Sequence, residues 1–267
     1  MTDAIAELFA KTKQENRAAL IAYIPAGFPS RELCLKLIDA LVKNGVDLIE
    51  IGYPYSDPLM DGPTIQEAVQ SSLDQGVKAT DVFDSVARVN QAGAVAVVMS
   101  YYNPLFKYGS EKFLENLRNN GGAGVITPDL IPDEASDWLR HVNSRNLDNI
   151  FLVAPSSTDE RIELVAENAS GFIYAASLMG VTGVKSAQSS NVAQLVSRVR
   201  SKSDLPVCVG LGVNNPDQVR EIAQFADGVI VGSAFIREIL NAANDEAAVA
   251  RVGELAAALS AATSRTE

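Results

Sequence analysis

At 267 residues, with 47% hydrophobic and 21% charged residues, the chain has the make-up of a soluble globular protein and the length for one α/β barrel of about 250 residues. A formal net charge of −11 argues against nucleic acid or an anionic membrane as the main partner, because both select basic patches. One histidine, His141, and two isolated cysteines, Cys34 and Cys208, leave almost no raw material for a Ser-His-Asp mechanism or a multi-histidine metal site.

The first residues, Met1-Thr-Asp-Ala-Ile-Ala-Glu, carry an early acid and no signal-like apolar core. Residues 3–13 read as a leading helix, with Ile5, Leu8 and Phe9 at helical spacing. A first strand runs from Ala19 to Ile24. Ser30 caps a helix whose apolar face is Leu33, Leu37, Ile38, Leu41 and Val42, and Gly45 stops it. Val46 to Ile51 is a second strand. A helix from Thr64 ends near Gly76, and Thr80 is expected to cap another that runs through Val89. Ala94 to Ser100 is a third strand, and its apolar run from Ala94 to Met99 is too short to span a bilayer.

The rhythm then repeats. A helix from Ser110 to Asn119 precedes strand Gly124 to Thr127, and a helix begins at Pro132-Asp-Glu134. Asn149 to Val153 is a fifth strand, and Ser157-Thr-Asp-Glu160 reads as a capping box. After strand Gly171 to Ala175 a polar loop is expected over 177–190, then a helix from Asn191. Strand Pro206 to Gly210, a helix from Pro216, strand Gly228 to Val231 and a last helix from Asp245 complete the series. Eight apolar strands alternating with helices, with no linker, predict a (β/α)8 TIM barrel in one domain, 1–267, with extra N-terminal and inserted helices. An open doubly wound sheet is the alternative arrangement of such units. The two cysteines read as packing residues in a reducing cytoplasm.

In such barrels chemistry sits at the C-terminal ends of the strands. The stretch Leu48 to Gln66 stands out there: a carboxylate, Glu50, lies in an apolar strand, and a proline- and glycine-rich loop then carries Asp57 and Asp61. A glutamate facing the barrel axis would have a raised pKa and could act as acid and base near neutrality. A buried glutamate held by a structural partner fits the same pattern. Asp57 and Asp61 are open to a turn-forming reading and to a proton-transfer one. Gly180-Val-Thr-Gly183, Gly210-Leu-Gly212 and Gly232-Ser233 follow three successive late strands, where glycines let backbone N–H groups approach an anion. They also serve simply as turns. Neither a dinucleotide fingerprint nor a Walker motif is present.

The strings Ile49-Glu-Ile-Gly-Tyr-Pro-Tyr-Ser-Asp-Pro58 and Asp61-Gly-Pro-Thr-Ile-Gln66 resemble the signature of the tryptophan synthase alpha chain family. Tyr101-Tyr-Asn-Pro104, Pro128-Asp-Leu130, Phe151-Leu-Val-Ala-Pro155, Gly180-Val-Thr-Gly183 and Gly228-Val-Ile-Val-Gly-Ser233 match in the same order, over essentially the whole chain. The resemblance implies a lyase that cleaves indole-3-glycerol phosphate to indole and glyceraldehyde 3-phosphate without metal or organic cofactor. It implies catalytic roles for Glu50 and Asp61, and an indole pocket with Tyr23, Ile65, Met99 and Tyr101. Tyr174 matches an active-site tyrosine, and Thr182 belongs to a loop that closes over the site. Phosphate binding is implied for Gly183, Gly212, Gly232 and Ser233. It also implies a tryptophan synthase beta chain as partner, in an alpha2-beta2 complex, with mouth loops 53–60, 102–108 and 129–134 as the candidate contacts.

The chain departs from the family pattern at Leu178-Met179, where many members have an arginine, at Leu211 for a common phenylalanine, and at Tyr53 for a smaller apolar residue. Two other readings compete. One is another phosphate-binding barrel, such as a sugar-phosphate isomerase or an indole-glycerol-phosphate synthase, and the latter lacks its lysine in the strand-end strings. The other is a partner-activating subunit with vestigial chemistry, against which the presence of Glu50, Asp61 and Thr182 argues.

Overall fold

A computed structural model describes residues 3–176, 185–210 and 212–265, with the backbone alone for 185–190. Its strands are β1 (Ala19–Pro25), β2 (Leu48–Gly52), β3 (Val95–Met99), β4 (Gly124–Ile126), β5 (Asp148–Ile150), β6 (Leu152–Val153), β7 (Ile173–Ala176), β8 (Val207–Gly210) and β9 (Gly228–Val231). All pair in parallel, in the order β5-β4-β3-β2-β1-β9-β8-β7-β6. The two ends of this sheet are consecutive pieces of chain, separated only by Phe151, whose carbonyl accepts the N–H of Tyr174 at 3.0 Å. The expected fifth strand is therefore present as two short pieces, and the sheet curls through it into a (β/α)8 barrel rather than an open sheet.

The alternation of side chains along each strand divides the apolar residues into two sets. Ile21, Leu48, Val97, Ile126, Ile150, Cys208 and Ile230 pack inside the barrel. Leu20, Ile49, Ile51, Val98, Val125, Val209 and Val231 point the other way, under the helices. Both faces are buried, which is why the strands read as unbroken apolar runs.

The leading helix, Ala4–Gln14, has a specific place in this scheme. Asp3 caps it by accepting the Ala6 N–H at 3.0 Å, and Ile5, Leu8 and Phe9 join the interior set. Phe9 meets Phe172, just before β7, edge to face at 6.0 Å. The helix thus closes the N-terminal end of the barrel, and its three apolar side chains contribute roughly 1.5–3 kcal/mol each by burial. With that end shut, a substrate can enter only from the other.

Several expected boundaries shift for local reasons. The helix Ala79–Ala92 is not capped by Thr80: the Lys78 N–H donates to Asp81 at 2.7 Å, and Arg31 holds the same carboxylate. In the Ser157-Thr-Asp-Glu stretch it is Thr158 that accepts the Arg161 N–H, while Ser157 accepts from the Ala154 N–H. Residues 102–108, expected as loop, form the helix Tyr102–Tyr108, because Pro104 falls in its first turn, where no intrahelical N–H is needed. The helix expected from Asn191 spans Lys185–Arg200, since nothing in Lys185-Ser-Ala-Gln-Ser-Ser breaks it. Among the described residues no helix is long and apolar enough to cross a membrane.

Candidate active site

The parallel register places Tyr23 opposite Glu50 and Glu50 opposite Val97, so all three face the barrel interior. Glu50 is only 1% exposed, and its Oε1 has no hydrogen-bond partner among the described residues. Burial alone pushes its pKa up to about 8. An unpaired carboxylate in such surroundings is costly when ionised, so the group holds its proton at neutral pH and sits close to the point of releasing it. Among the described residues no salt-bridge partner of the kind a purely structural glutamate would have is present.

Two residues further along β2, Gly52 also faces inward, and a methyl group there would collide with the Tyr23 hydroxyl and ring. Gly210 stands in the same relation to Tyr174. Each tyrosine therefore lies across a glycine of the neighbouring strand, and the missing side chains make room for two rings at the mouth. Both phenols have pKa values raised well above the ordinary tyrosine range, first by burial and then by the nearby Glu50 and Asp61 carboxylates. They stay protonated as hydrogen-bond donors.

The loop after β2 is pinned at several points. The Tyr55 and Tyr101 rings lie 5.4 Å apart, and the Tyr101 hydroxyl accepts the Met60 N–H at 2.8 Å. Gln66 donates to the Asp61 carbonyl at 2.8 Å, and Gly62 precedes the helix Pro63–Asp74. These contacts hold Asp61 half-buried, where burial pushes its carboxyl up to about 6. Asp57 has a different position: it is exposed and accepts a hydrogen bond from its neighbour Ser56 at 2.6 Å. Of the two acids on this loop, only Asp61 faces the cavity.

That cavity holds about 370 Å³. Glu50 and Asp61 line it together with Tyr23, Ile65, Met99, Tyr174 and Ile230, which form a wall suited to a flat aromatic ring. Gly212, Gly232 and Ser233 line the same cavity, Gly232 lying against the Tyr23 and Ile65 side chains. Gly212 has a left-handed φ of +83°, and Ser233 opens the helix Ser233–Leu240, whose first-turn N–H groups lack intrahelical acceptors. Tyr101 lines a recess shared with Tyr23, Asp61 and Met99. Thr182 and Gly183, like Leu178, Met179 and Leu211, lie outside the described residues. Tyr53 stacks on Phe113 at 5.9 Å and also lines the recess beside Tyr101, so that departure touches both packing and the edge of the site.

Met60, Thr64 and Arg237 also line the cavity and were not singled out from the sequence. Arg237 could have been: it follows Ser233 by four residues and so shares its helical face.

One cavity thus gathers aromatic and apolar side chains, two acids of raised pKa, and the glycines and serine of the late strand ends. The model of the tryptophan synthase alpha chain family matches residues 9–264. This chain belongs to the tryptophan synthase alpha chain family. The alpha chain of Nocardia farcinica is 53% identical over 232 residues, covering 87% of each chain, and that of Thermobifida fusca is 48% identical over 255 residues, covering 94% of each. Among solved structures, tryptophan synthase from Mycobacterium tuberculosis superposes with a TM-score of 0.90 at 46% identity, covering 98% of each chain. The Legionella pneumophila alpha subunit does so with a TM-score of 0.89 at 31% identity, covering 98% of this chain and 99% of that one. The chain is thus an enzyme of tryptophan biosynthesis with the carbon–carbon lyase activity of its family, cleavage of indole-3-glycerol phosphate.

Proposed function

We propose that Glu50 is the acid and base of this cleavage and that Asp61 stabilises the indole ring as it becomes positively charged. The observation that carries this reading is the buried Glu50 carboxyl, its Oε1 without a partner among the described residues and its pKa pushed up to about 8, in one cavity with Asp61. Glu50 delivers its proton to indole C3, which turns the ring into an iminium and makes N1–H a stronger donor. Asp61, ionised above about pH 6, accepts that hydrogen bond. Glu50, now a carboxylate in apolar surroundings, takes the proton from the hydroxyl on the carbon attached to C3. The carbon–carbon bond breaks, its electron pair returns to the ring as indole, and the oxygen becomes the aldehyde of glyceraldehyde 3-phosphate. Tyr23, Ile65, Met99, Tyr101 and Tyr174 hold the ring, and Gly212, Gly232 and Ser233 bind the phosphate, with Thr182 and Gly183 assigned to the same site by sequence match alone.

The same reading makes 1–267 one domain working in the cytoplasm as the alpha subunit of an alpha2-beta2 complex. Supporting it are a barrel whose strands form one sheet, two buried free cysteines, and apolar side chains exposed on the mouth segments. Leu59 is 87% and Phe106 68% exposed, and Ile131 is also exposed, one on each of the three candidate contact segments. Such residues at a barrel mouth fit a partner that receives indole directly.

The test is indole release from indole-3-glycerol phosphate by the isolated chain and by Glu50→Gln. Glutamine keeps the volume but exchanges no proton, so activity should fall by roughly two to four orders of magnitude while the fold persists. A folded, active Glu50→Gln protein would falsify the assignment.

A further inference from the structure

The cavity poses an electrostatic problem that its glycines do not solve. The chain carries a net charge of −11, and the cavity already contains two carboxyl groups, Glu50 and Asp61. A phosphate monoester entering it brings close to two further negative charges. Backbone N–H groups at Gly212 and Ser233 offer only partial positive charge.

Among the described residues that line the cavity, Arg237 carries the one full positive charge. It lies one helical turn beyond Ser233, and helical side chains lean toward the helix N-terminus, so its stem points back over the Gly232-Ser233 turn. Arg237 is exposed, and no described carboxylate pairs with it. The adjacent acid, Glu238, is instead taken by Arg251 at 2.7 Å. An arginine left unpaired beside a cavity in an acidic protein is available to a ligand, and its planar fork matches phosphate oxygens.

We infer that Arg237 recognises the substrate phosphate, closing over the part of the cavity lined by Gly212, Gly232 and Ser233 and setting the preference for a phosphorylated substrate. This rests on the cleavage reaction proposed above. The role is one of binding: a guanidinium that pairs with the phosphate in both the bound substrate and the transition state acts on affinity and not on the chemical step.

The experiment compares Arg237→Met and Arg237→Lys with the parent chain, using indole-3-glycerol phosphate and its dephosphorylated analogue, indole-3-glycerol. Arg237→Met should raise KM for the phosphorylated substrate about ten-fold with kcat within about two-fold, and shrink the preference over the analogue by the same factor. Arg237→Lys should fall between the two, because a point charge replaces the fork. The increase in KM with salt should be shallower in Arg237→Met. Unchanged KM and preference in a variant with a normal thermal midpoint overturn the inference and leave the cleavage reading standing. If the parent chain releases no indole, the cleavage reading fails, and calorimetric binding of glycerol 3-phosphate decides Arg237 separately. About ten-fold weaker binding by Arg237→Met upholds its role, whereas equal binding, or none by the parent chain, overturns it.

Discussion

The Tyr101 hydroxyl accepts the backbone N–H of Met60 at 2.8 Å, so a side chain following β3 fixes the residue immediately before Asp61. This is a positioning contact, because it anchors the peptide that carries the carboxylate. It works with the Gln66 hydrogen bond to the Asp61 carbonyl, which anchors the other side. Tyr101→Phe keeps the ring against Tyr55 and removes only the acceptor. We expect a loss of about 0.5–1.5 kcal/mol in stability, the worth of one neutral hydrogen bond, and a roughly ten-fold fall in kcat as Asp61 loses its fixed position. Indole release and a urea unfolding curve on the same variant check both. A normal kcat would show that the loop holds Asp61 without Tyr101.

The two acids set the pH dependence. The proposed reaction needs Asp61 ionised and Glu50 protonated at the start of the cycle. Burial places Asp61 at about 6 and Glu50 at about 8, so kcat/KM should rise through the first value and fall through the second. Initial rates across pH 5 to pH 9.5 on the isolated chain test this, and activity that stays level past about pH 8 would exclude Glu50 as the proton donor.

Stability carries the same signature with a definite sign. Glu50 has an ordinary pKa of 4.5 and a folded value of about 8, so between these the native state holds its proton more tightly than the unfolded chain. The stabilisation is complete below 4.5 and is lost as pH rises through 8, at no more than about 1.4 kcal/mol per pH unit. Glu50→Gln has no such term. Its thermal midpoint should therefore gain on that of the parent chain from pH 5 to pH 8 and hold a constant lead above. A constant gap across the whole range would mean that Glu50 titrates alike folded and unfolded.

Gly52 makes room for Tyr23, and Gly210 for Tyr174. Gly52 has ordinary strand geometry, so its need is space, not backbone freedom. Gly52→Ala should force the Tyr23 ring out of its place, costing about 1–3 kcal/mol and raising KM for the indole-bearing substrate. Tyr23→Phe alone leaves the ring crowded, whereas Tyr23→Leu should relieve the alanine, and a double-mutant cycle of stability measures that relief. Additive effects would argue against contact between the two positions.

For the proposed partner, Phe106 and Leu59 are the places to look. Phe106→Asp puts a charge on a mostly exposed side chain whose ring meets that of Tyr102, so folding and isolated indole release should change little. Association with a tryptophan synthase beta chain should weaken by at least ten-fold if Phe106 is buried there. Sedimentation with purified beta chain reads this directly, and unchanged association would move the interface elsewhere.

Much of this protein is legible in the chain alone. The alternation of apolar runs and amphipathic helices yields the barrel because buried parallel strands admit few other arrangements. The odd placement of Glu50 marks the site because an acid in such a strand is too costly to be incidental. Turn chemistry by itself does not separate Asp57 from Asp61: the family resemblance singles out Asp61, and the Tyr101 and Gln66 anchors supply the physical reason that this one faces the cavity. The fifth strand's break at Phe151 and the pairing of each tyrosine with a glycine across two strands likewise depend on neighbours far away in the chain. So does Arg237, whose helical spacing from Ser233 is visible but whose freedom from any described carboxylate is not. Local patterns determine which elements form, because backbone preference and burial act over a few residues. Which charges remain unpaired, and toward what space, is decided only when distant strands and loops are brought together, since desolvation and pairing depend on the whole surroundings of a group.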